Sequence, residues 1–516
     1  MINRRCAVAL LTVLIVFMLS TFLEFAAWSE QHGETAAAAT VQSNEKAMEW
    51  GDPFTQMAQY ESPQHQARKS LKTYPCTAVD NTHPAFRVQL CSDGCKGVFR
   101  IERIGPGPGN GSLSDKGSLC APVKPLSNHS TTEQWIREHV GPDAFMFRFL
   151  GPDVVMGDTV FLGGCTYETS FELFSVGSYS VKADLMYVDY DMLDEYNYHT
   201  VWPPLLYVPL IQDMKYSITC KTPSPTAAAP DSAAQAPTSA PLANSSGWCG
   251  DGLHRGRWLG EQWQPVDCNL RHTSRVAQCL KGKKVAIFGD SHLLRTFRGL
   301  RIALDPTFDD NSTQIPAIRN LKTATSFYIP GLNMTLTYIK APFMFYSDLK
   351  EGKMCCEVDV EGFLPQYDFN VLGFGQHPAA GCCCCWQDGH WPFLRYVQYV
   401  HRLMPLLKDS LRRRKPVTWI GVTAWQPKKH NAKTRFNLNG EKKSLDWRNN
   451  YRLSMYNRFA YSIMQQNGIK VVDAFQVAYP MMHTTKDGAH YLGMVQKNIV
   501  HEVLNALGAW CDELGF

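Results

Sequence analysis

Ser291 follows the apolar run Val285-Ala286-Ile287-Phe288, within the tetrad Gly289-Asp290-Ser291-His292, and a helical stretch begins directly after it. Glycine permits a tight turn, and a serine at a helix N-terminus has backbone N–H groups facing it. That placement suits a nucleophile whose own N–H helps to hold an oxyanion. A serine nucleophile needs a base, usually histidine, and the histidine needs a carboxylate on its other ring nitrogen. Asp487-Gly488-Ala489-His490-Tyr491 offers both. Asp487 and His490 are three residues apart, so a single helical turn is expected to put them on one side. The chemistry is transfer of an acyl group through an acyl-serine. Taken singly, Ser291 also reads as a helix cap and Asp-x-x-His as a surface turn. Their pairing, one after the first strand and one after the last, favours a site.

The elements around these residues fit that placement. From Trp248 onward, short apolar runs (Val285–Phe288, Phe369–Phe374, Val417–Val422, Ile469–Phe475) alternate with amphipathic stretches such as Trp391–Leu411 and Trp447–Asn467. This pattern predicts a parallel sheet covered on both faces, with active groups at the carboxyl ends of its strands. Residues 75–220 read differently. Short alternating stretches (Phe86–Leu90, Gly97–Ile104, Phe145–Leu150, Thr169–Phe174, Tyr179–Val188) are separated by turn residues, which predicts a β-sandwich. Gly177–Ala183 resembles a late strand of an immunoglobulin or filamin-type repeat. Residues 221–247 are rich in Pro, Ala, Ser and Thr, with Leu242 the one large apolar residue, and read as a linker open to O-glycosylation. Residues 29–74 are polar and read as a stem. The expected fold is therefore α/β, a three-layer α/β/α unit over 248–516 preceded by the β-sandwich.

The chain has 516 residues and a net charge of +4, too small for a dedicated nucleic-acid binder. It has one long apolar run, which excludes a multi-span channel or transporter. Arg4 and Arg5 precede that run, Cys6–Leu23, whose only polar members are Thr12, Ser20 and Thr21. As a helix it would span about 27 Å, close to the hydrocarbon thickness. The arginines orient it with the N-terminus cytoplasmic. Residues 1–28 thus read as a single transmembrane signal anchor; Ala26-Ala27-Trp28-Ser29 leaves a cleaved signal peptide as the alternative. Either way the remainder enters the secretory lumen. Sixteen of the 17 cysteines lie beyond the run, which fits disulfide formation there. Five Asn-x-Ser/Thr sequons, at Asn110, Asn128, Asn244, Asn311 and Asn333, fit a lumenal glycoprotein.

Gly289-Asp290-Ser291 combined with Asp487-x-x-His490 resembles the SGNH/GDSL hydrolase superfamily, and more closely its PC-esterase branch. That branch holds the plant trichome-birefringence-like O-acetyltransferases, the fungal and animal capsule and sialic-acid O-acetylation proteins, and the neurexophilin-and-PC-esterase proteins. Further pieces agree in order: Cys249–Trp258, Trp263-Gln264-Pro265-Val266-Asp267-Cys268, Leu280–Lys283, Asn333–Phe343, and Gly373-Phe374-Gly375-Gln376-His377. The resemblance covers residues 248–516, and the arrangement of anchor, immunoglobulin-like domain and catalytic domain is most similar to neurexophilin-and-PC-esterase. Three features depart from the pattern. Arg295 stands four residues after the serine instead of three, the Asn-Asp pair is absent, and Thr484-Thr485-Lys486 replaces the usual Arg before Asp-x-x-His.

The resemblance implies a catalytic set of Ser291, Asp487 and His490. For the oxyanion or substrate, the candidates are the Ser291 N–H, Gly375, Asn333, Gly289, Asp290 and His377. It implies a Golgi-membrane, type II, lumenal O-acetyltransferase acting on glycan or polysaccharide hydroxyls. A carbohydrate acetylesterase and a non-catalytic binding member are the alternatives, as is a secreted or cell-surface location. No bound cofactor is expected, but an acetyl donor is required. With one span the chain cannot carry acetyl groups across the membrane, so a separate acyl-supplying membrane protein is expected.

Other clusters are read against simpler explanations. Cys382–Cys385 are adjacent, whereas zinc ligands come in spaced pairs, so disulfides to partners such as Cys355 or Cys356 are expected and no metal. His292 and His377 are placed at the pocket rim or in local loops. Trp386, Trp391 and Trp425 offer faces for sugar rings or for core packing. The basic stretches Arg412–Lys415 and Lys428–Lys443 read as solvated loops or as a grip on an acidic polysaccharide.

Overall fold

The computed structural model describes residues 74–105, 141, 143–187, 208–212, 216–221, 247–250, 253–305, 307–308, 324–341, 360–380, 393–426, 448, 450–485 and 487–515. The expected anchor, stem and most of the linker lie outside these residues. So do Cys355, Cys356, Cys382–Cys385, Trp386, Trp391, Lys428–Lys443 and every sequon except Asn333. No helix among the described residues is long and apolar enough to cross a membrane.

The first part is built from short strands in two sheets. One runs β1 (Cys76–Ala78), β2 (Phe86–Ser92), β3 (Lys96–Arg103), β7 (Thr166–Glu172) and β6 (Asp158–Gly163), all neighbours antiparallel. The other contains β10 (Ser217–Cys220), β8 (Gly177–Tyr187), β4 (Ala144–Leu150) and β5 (Val154–Met156), with β9 (Val208–Pro209) beside β8. Inward aromatic rings join the sheets: Phe99 meets Phe147 at 5.0 Å and Phe149 meets Phe171 at 4.6 Å. The disulfide Cys95–Cys220 lies in this core, and Cys76–Cys91 pins the exposed edge strand β1 to β2.

The second sheet does not stop at the linker. β5 pairs through Val154 with Trp258 of β11 (Gly256–Leu259), which forms a hairpin with β12 (Gln262–Pro265). Sequence reading missed this hairpin because four-residue strands carry too few alternations to register. A buried ion pair sits at the same junction. Arg257 Nη1 donates to Asp153 Oδ2 at 2.8 Å, and Asp153 also accepts from Ser175 and from the Tyr179 hydroxyl at 2.6 Å. Arg257 lies over the Phe174 ring, and Arg255 bridges Glu172 and Asp267.

Residues beyond the hairpin form the α/β unit. Helix α1 (Thr273–Cys279) precedes β13 (Lys284–Gly289), then α2 (Ser291–Leu304), β14 (Ala324–Ile329), β15 (Met334–Lys340) and β16 (Phe369–Gly373). Then come α3 (Gln376–Ala380), α4 (Phe393–Arg412), β17 (Val417–Ile420), α5 (Asn450–Gln466), β18 (Lys470–Val472), α6 (Ala474–Ala478) and α7 (Met494–Leu514). The strand order is β14-β15-β13-β16-β17-β18. The five strands from β15 to β18 are parallel, and β16 and β17 are buried along their whole length. Such strands need cover on both faces, which is why they read as unbroken apolar runs. Helices α1, α2 and α7 pack together, and α4 packs with α5. The expected all-parallel sheet is corrected at one edge. β14 is antiparallel to β15, because a short turn at Pro330–Leu332 lets the chain fold straight back. Cys249–Cys268 and Cys279–Cys511 staple the start of the unit, the latter tying α1 to α7.

Removing one partner of a buried ion pair strands the other charge, at a cost of about 3–5 kcal/mol. Asp153→Ala is therefore expected to move the urea unfolding midpoint of the whole chain downward, in a single transition reporting both parts. Two separate transitions, only one of them shifted, would show that the junction does not couple them.

Candidate active site

Strand β13 ends where a side chain has no room. A Cβ on Gly289 would lie 2.5 Å from Leu293 Cγ and 2.7 Å from the Gly373 carbonyl oxygen of the neighbouring strand. The chain then turns at Asp290, whose side chain caps α2 by accepting from the His292 N–H at 2.8 Å. Tyr338, on β15, donates to the carbonyl oxygens of Gly289 and Asp290 at 2.9 and 3.0 Å. One hydroxyl proton lies within reach of both acceptors. Ser291 is thereby fixed as the first residue of α2, among the N–H groups that a helix leaves without internal acceptors.

The partner residues come from the segment before α7. Thr485 accepts from the Gly488 N–H at 3.1 Å and its hydroxyl lies 3.0 Å from the His490 carbonyl oxygen. Asp487 Oδ1 accepts from the backbone N–H groups of Ala489 and His490 at 3.0 and 2.8 Å. This is an Asx-type turn, which brings a side chain back onto the N–H groups that follow it. The expectation of a helical turn is corrected here, since α7 begins only at Met494. The turn leaves Oδ2 free to meet His490 Nδ1 at 2.6 Å. His490 Nε2 reaches Ser291 Oγ at 2.7 Å, across 199 residues of sequence. The Ser291–His490 contact has hydrogen-bond geometry suited to proton transfer, and the His490–Asp487 contact fixes the ring that would carry the proton.

Electrostatics follow from this packing. Burial and the nearby Arg295 guanidinium push the His490 pKa down, while the Asp487 carboxylate works against them. Burial opposes the charge on Asp487, but hydrogen bonds from the His490 ring and from two N–H groups outweigh it. They hold its pKa well below the usual carboxylate range. At neutral pH the arrangement is a neutral imidazole backed by a carboxylate, with the serine hydroxyl on its free nitrogen.

Other expected site residues have different positions. Gly289 and Asp290 lie at the site, buried and engaged in shaping the turn. Gly375 lies two residues beyond β16 with φ +147°, and a Cβ there would meet Val422 Cγ2 at 2.4 Å. That packing alone accounts for the glycine. His377 is on α3, close enough to His292 to act on its charge. Asn333 is not brought to the site. It occupies a left-handed turn before β15, accepts from the Tyr328 hydroxyl, and flanks the amino end of the strands. The serine is at the opposite end, so the oxyanion assignment for Asn333 is corrected. His292, expected at a rim, is buried, and so is Trp425, which belongs to the core and not to a sugar platform. Tyr338, Thr485, Thr423 and Gln376 were missed, because single hydroxyl and amide residues carry no spacing signal.

Among the described residues one cluster has metal-ligand spacing: Cys249, His254 and Cys268. The two cysteines form a disulfide, and His254 Nε2 faces Glu502 Oε1 at 3.0 Å, so no thiolate is on offer.

No family model matches the chain, and no curated protein matches it. Among solved structures, it is similar to a mutant of Axe2, an acetyl-xylooligosaccharide esterase from Geobacillus, at 15% identity and a TM-score of 0.25. The match covers 46% of this chain and 97% of that one. It is also similar to LAE5, an alpha/beta hydrolase enzyme from the metagenome of Lake Arreo, Spain, at 14% identity and a TM-score of 0.27, covering 45% and 97%. A catalytic mutant of Axe2, an acetylxylan esterase from Geobacillus stearothermophilus, is similar at 14% identity and a TM-score of 0.25, covering 46% and 95%.

Tyr338→Phe leaves two buried carbonyl groups at the nucleophile turn without the hydroxyl they share. Each carbonyl keeps a backbone donor, the Ala341 or the Leu294 N–H, so the expected loss is about 0.5–1.5 kcal/mol of stability, read by thermal unfolding. The rate at which a fluorophosphonate labels Ser291 is expected to fall about tenfold, since misplaced reacting groups lose rate steeply. An unchanged labelling rate would show that the turn is held without Tyr338.

Proposed function

We propose that the chain is an O-acetyltransferase acting on glycan or polysaccharide hydroxyls through an acyl-enzyme on Ser291. The observation that carries this reading is the continuous hydrogen-bonded set Ser291–His490–Asp487, with contacts of 2.7 and 2.6 Å. His490 takes the serine proton as Oγ attacks the acetyl carbonyl of the donor. Asp487 holds the ring in the tautomer that leaves Nε2 free and stabilises the imidazolium that forms. The oxyanion develops near the first N–H groups of α2, where the helix dipole favours negative charge. His490 then returns the proton to the leaving group, and the acetyl stays on Ser291. In the second half the same imidazole deprotonates a sugar hydroxyl, which attacks the acyl-serine; the acyl–Oγ bond breaks, and His490 returns that proton to Ser291.

The triad serves water as readily as a sugar, so an acetylesterase uses the same steps. The order of sequence motifs shared with the PC-esterase branch is what favours transfer. In this reading the enzyme works in the Golgi lumen, held by the N-terminal apolar run. A separate membrane protein supplies the acetyl groups.

Full-length protein given a chromogenic acetyl ester and an oligosaccharide panel is expected to add one acetyl group to a sugar, followed by mass spectrometry. Ser291→Ala is expected to abolish both acetate release and sugar labelling. Acetate release without any labelled sugar would select the esterase. Asp487→Asn is expected to lower kcat by about 10⁴-fold while the protein stays folded, because the ring loses its fixed tautomer.

The pH profile has a defined sign. Only neutral His490 accepts the serine proton, and its pKa is pushed down. The acid limb of kcat/KM is therefore expected to have its midpoint below about 6.5, the ordinary histidine value. A midpoint above that value would mean that the half-buried base described here is not the one that titrates.

A further inference from the structure

The imidazole of His292 lies against that of His490, with ring centroids 4.9 Å apart and planes tilted by 30°. It is buried, and its Nδ1 is 2.9 Å from Thr423 Oγ1. Thr423 is in turn held by Gln376, whose side-chain N–H groups reach its carbonyl oxygen at 2.7 Å and its hydroxyl at 3.3 Å. These residues come from three separate segments: α2, the loop after β17, and α3. His292 and Gln376 also line one small cavity of about 20 Å³ beneath the nucleophile turn, together with Asp290, Thr296, Thr423 and Gln496.

A buried histidine used only as filler is a poor choice. Among the described residues its Nε2 has no hydrogen-bond partner, and neither has Gln376 Oε1. An unsatisfied buried polar atom costs stability that an apolar ring of similar size would not. The proposed reaction makes no use of this ring as an acid or base. Burial and the neighbouring His490, Arg295, Arg448 and His377 all disfavour its protonated form, so it stays neutral. What it provides is a fixed flat surface against one face of the base.

We propose that His292 is a positioning residue for the general base, anchored by Thr423 and Gln376 so that its ring backs His490 and keeps water from that face. This rests on the reading of Ser291–His490–Asp487 as the reacting set. The groups acting on His490 itself are Arg295, Asp487 and Asp290. Removing the His292 ring lets water reach the base and relieves the burial that disfavours its charge.

The test is the pH dependence of Ser291 labelling by a fluorophosphonate, measured on the full-length chain. It needs no knowledge of the acceptor. His292→Ala is expected to label at least about tenfold more slowly at neutral pH, since a loosened reacting group loses rate steeply. Its acid limb is expected to move to higher pH while the thermal unfolding curve still shows a folded protein. His292→Phe keeps a ring in place, so its acid limb is expected to stay where the wild type has it, with a rate between wild type and His292→Ala. Thr423→Val, which removes the anchor, is expected to fall in the same intermediate range. A His292→Ala protein with wild-type rate and limb would overturn the proposal and leave the triad standing. Should His292→Ala not fold, wild-type rates in both His292→Phe and Thr423→Val would overturn it equally. Wild-type protein that resists labelling would overturn the triad reading and this role with it.

Discussion

The close approach of β13 and β16 at Gly289 and Gly373 governs the geometry of the α/β unit. The two strands run parallel with Gly289 opposite Gly373, and Leu293 from the first turn of α2 presses into the same spot. No side chain fits between them. The strand must therefore end there, turn within one residue, and start its helix at Ser291. Had the turn been wider, the serine would stand farther from the sheet, and the histidine from the segment before α7 would not meet it. A void too small for a methyl group thus fixes a contact between residues 199 positions apart in sequence.

The same economy appears on the other side of the contact. Asp487 spends one carboxylate oxygen on the backbone and the other on the His490 ring, so one side chain both folds its loop and orients the base. Thr485 closes the loop from inside. Neither residue depends on a long element, which explains why an exposed carboxylate can hold a fixed position beside a half-buried ring. The cap that Asp290 supplies to α2 is the counterpart on the nucleophile side.

Much of this was legible in the sequence, for definable reasons. Strands buried on both faces read as unbroken apolar runs, so Val285–Phe288 and Val417–Val422 located the parallel sheet. The order of turns after the first and last of those runs brought Ser291 and His490 to one edge. What stayed hidden were features that depend on contacts between distant segments. Nothing local to Tyr338 shows that its hydroxyl spans two carbonyl groups of the nucleophile turn. Trp425 reads equally well as a platform or as core until Asn450 is seen bonded to its backbone on both sides. Asn333 looked useful because it follows the nucleophile in sequence, and register alone placed it at the wrong end of β15. The hairpin at Gly256–Pro265 was too short to show a period, yet it carries the sandwich sheet into the α/β unit.

The arrangement also sets an order of events during synthesis. The chain is made from the N-terminus, so the serine and its helix emerge well before the segment that carries the aspartate and histidine. Sheet strands β16, β17 and β18, and the helices between them, must be laid down in the interval. A ribosome paused anywhere in that stretch holds Ser291 without the histidine and aspartate that it meets in the folded chain. The Cys279–Cys511 bond, which spans 232 residues, closes only after both ends of that interval exist. The Ser291–His490–Asp487 set is therefore completed last, and a chain truncated within that interval lacks it.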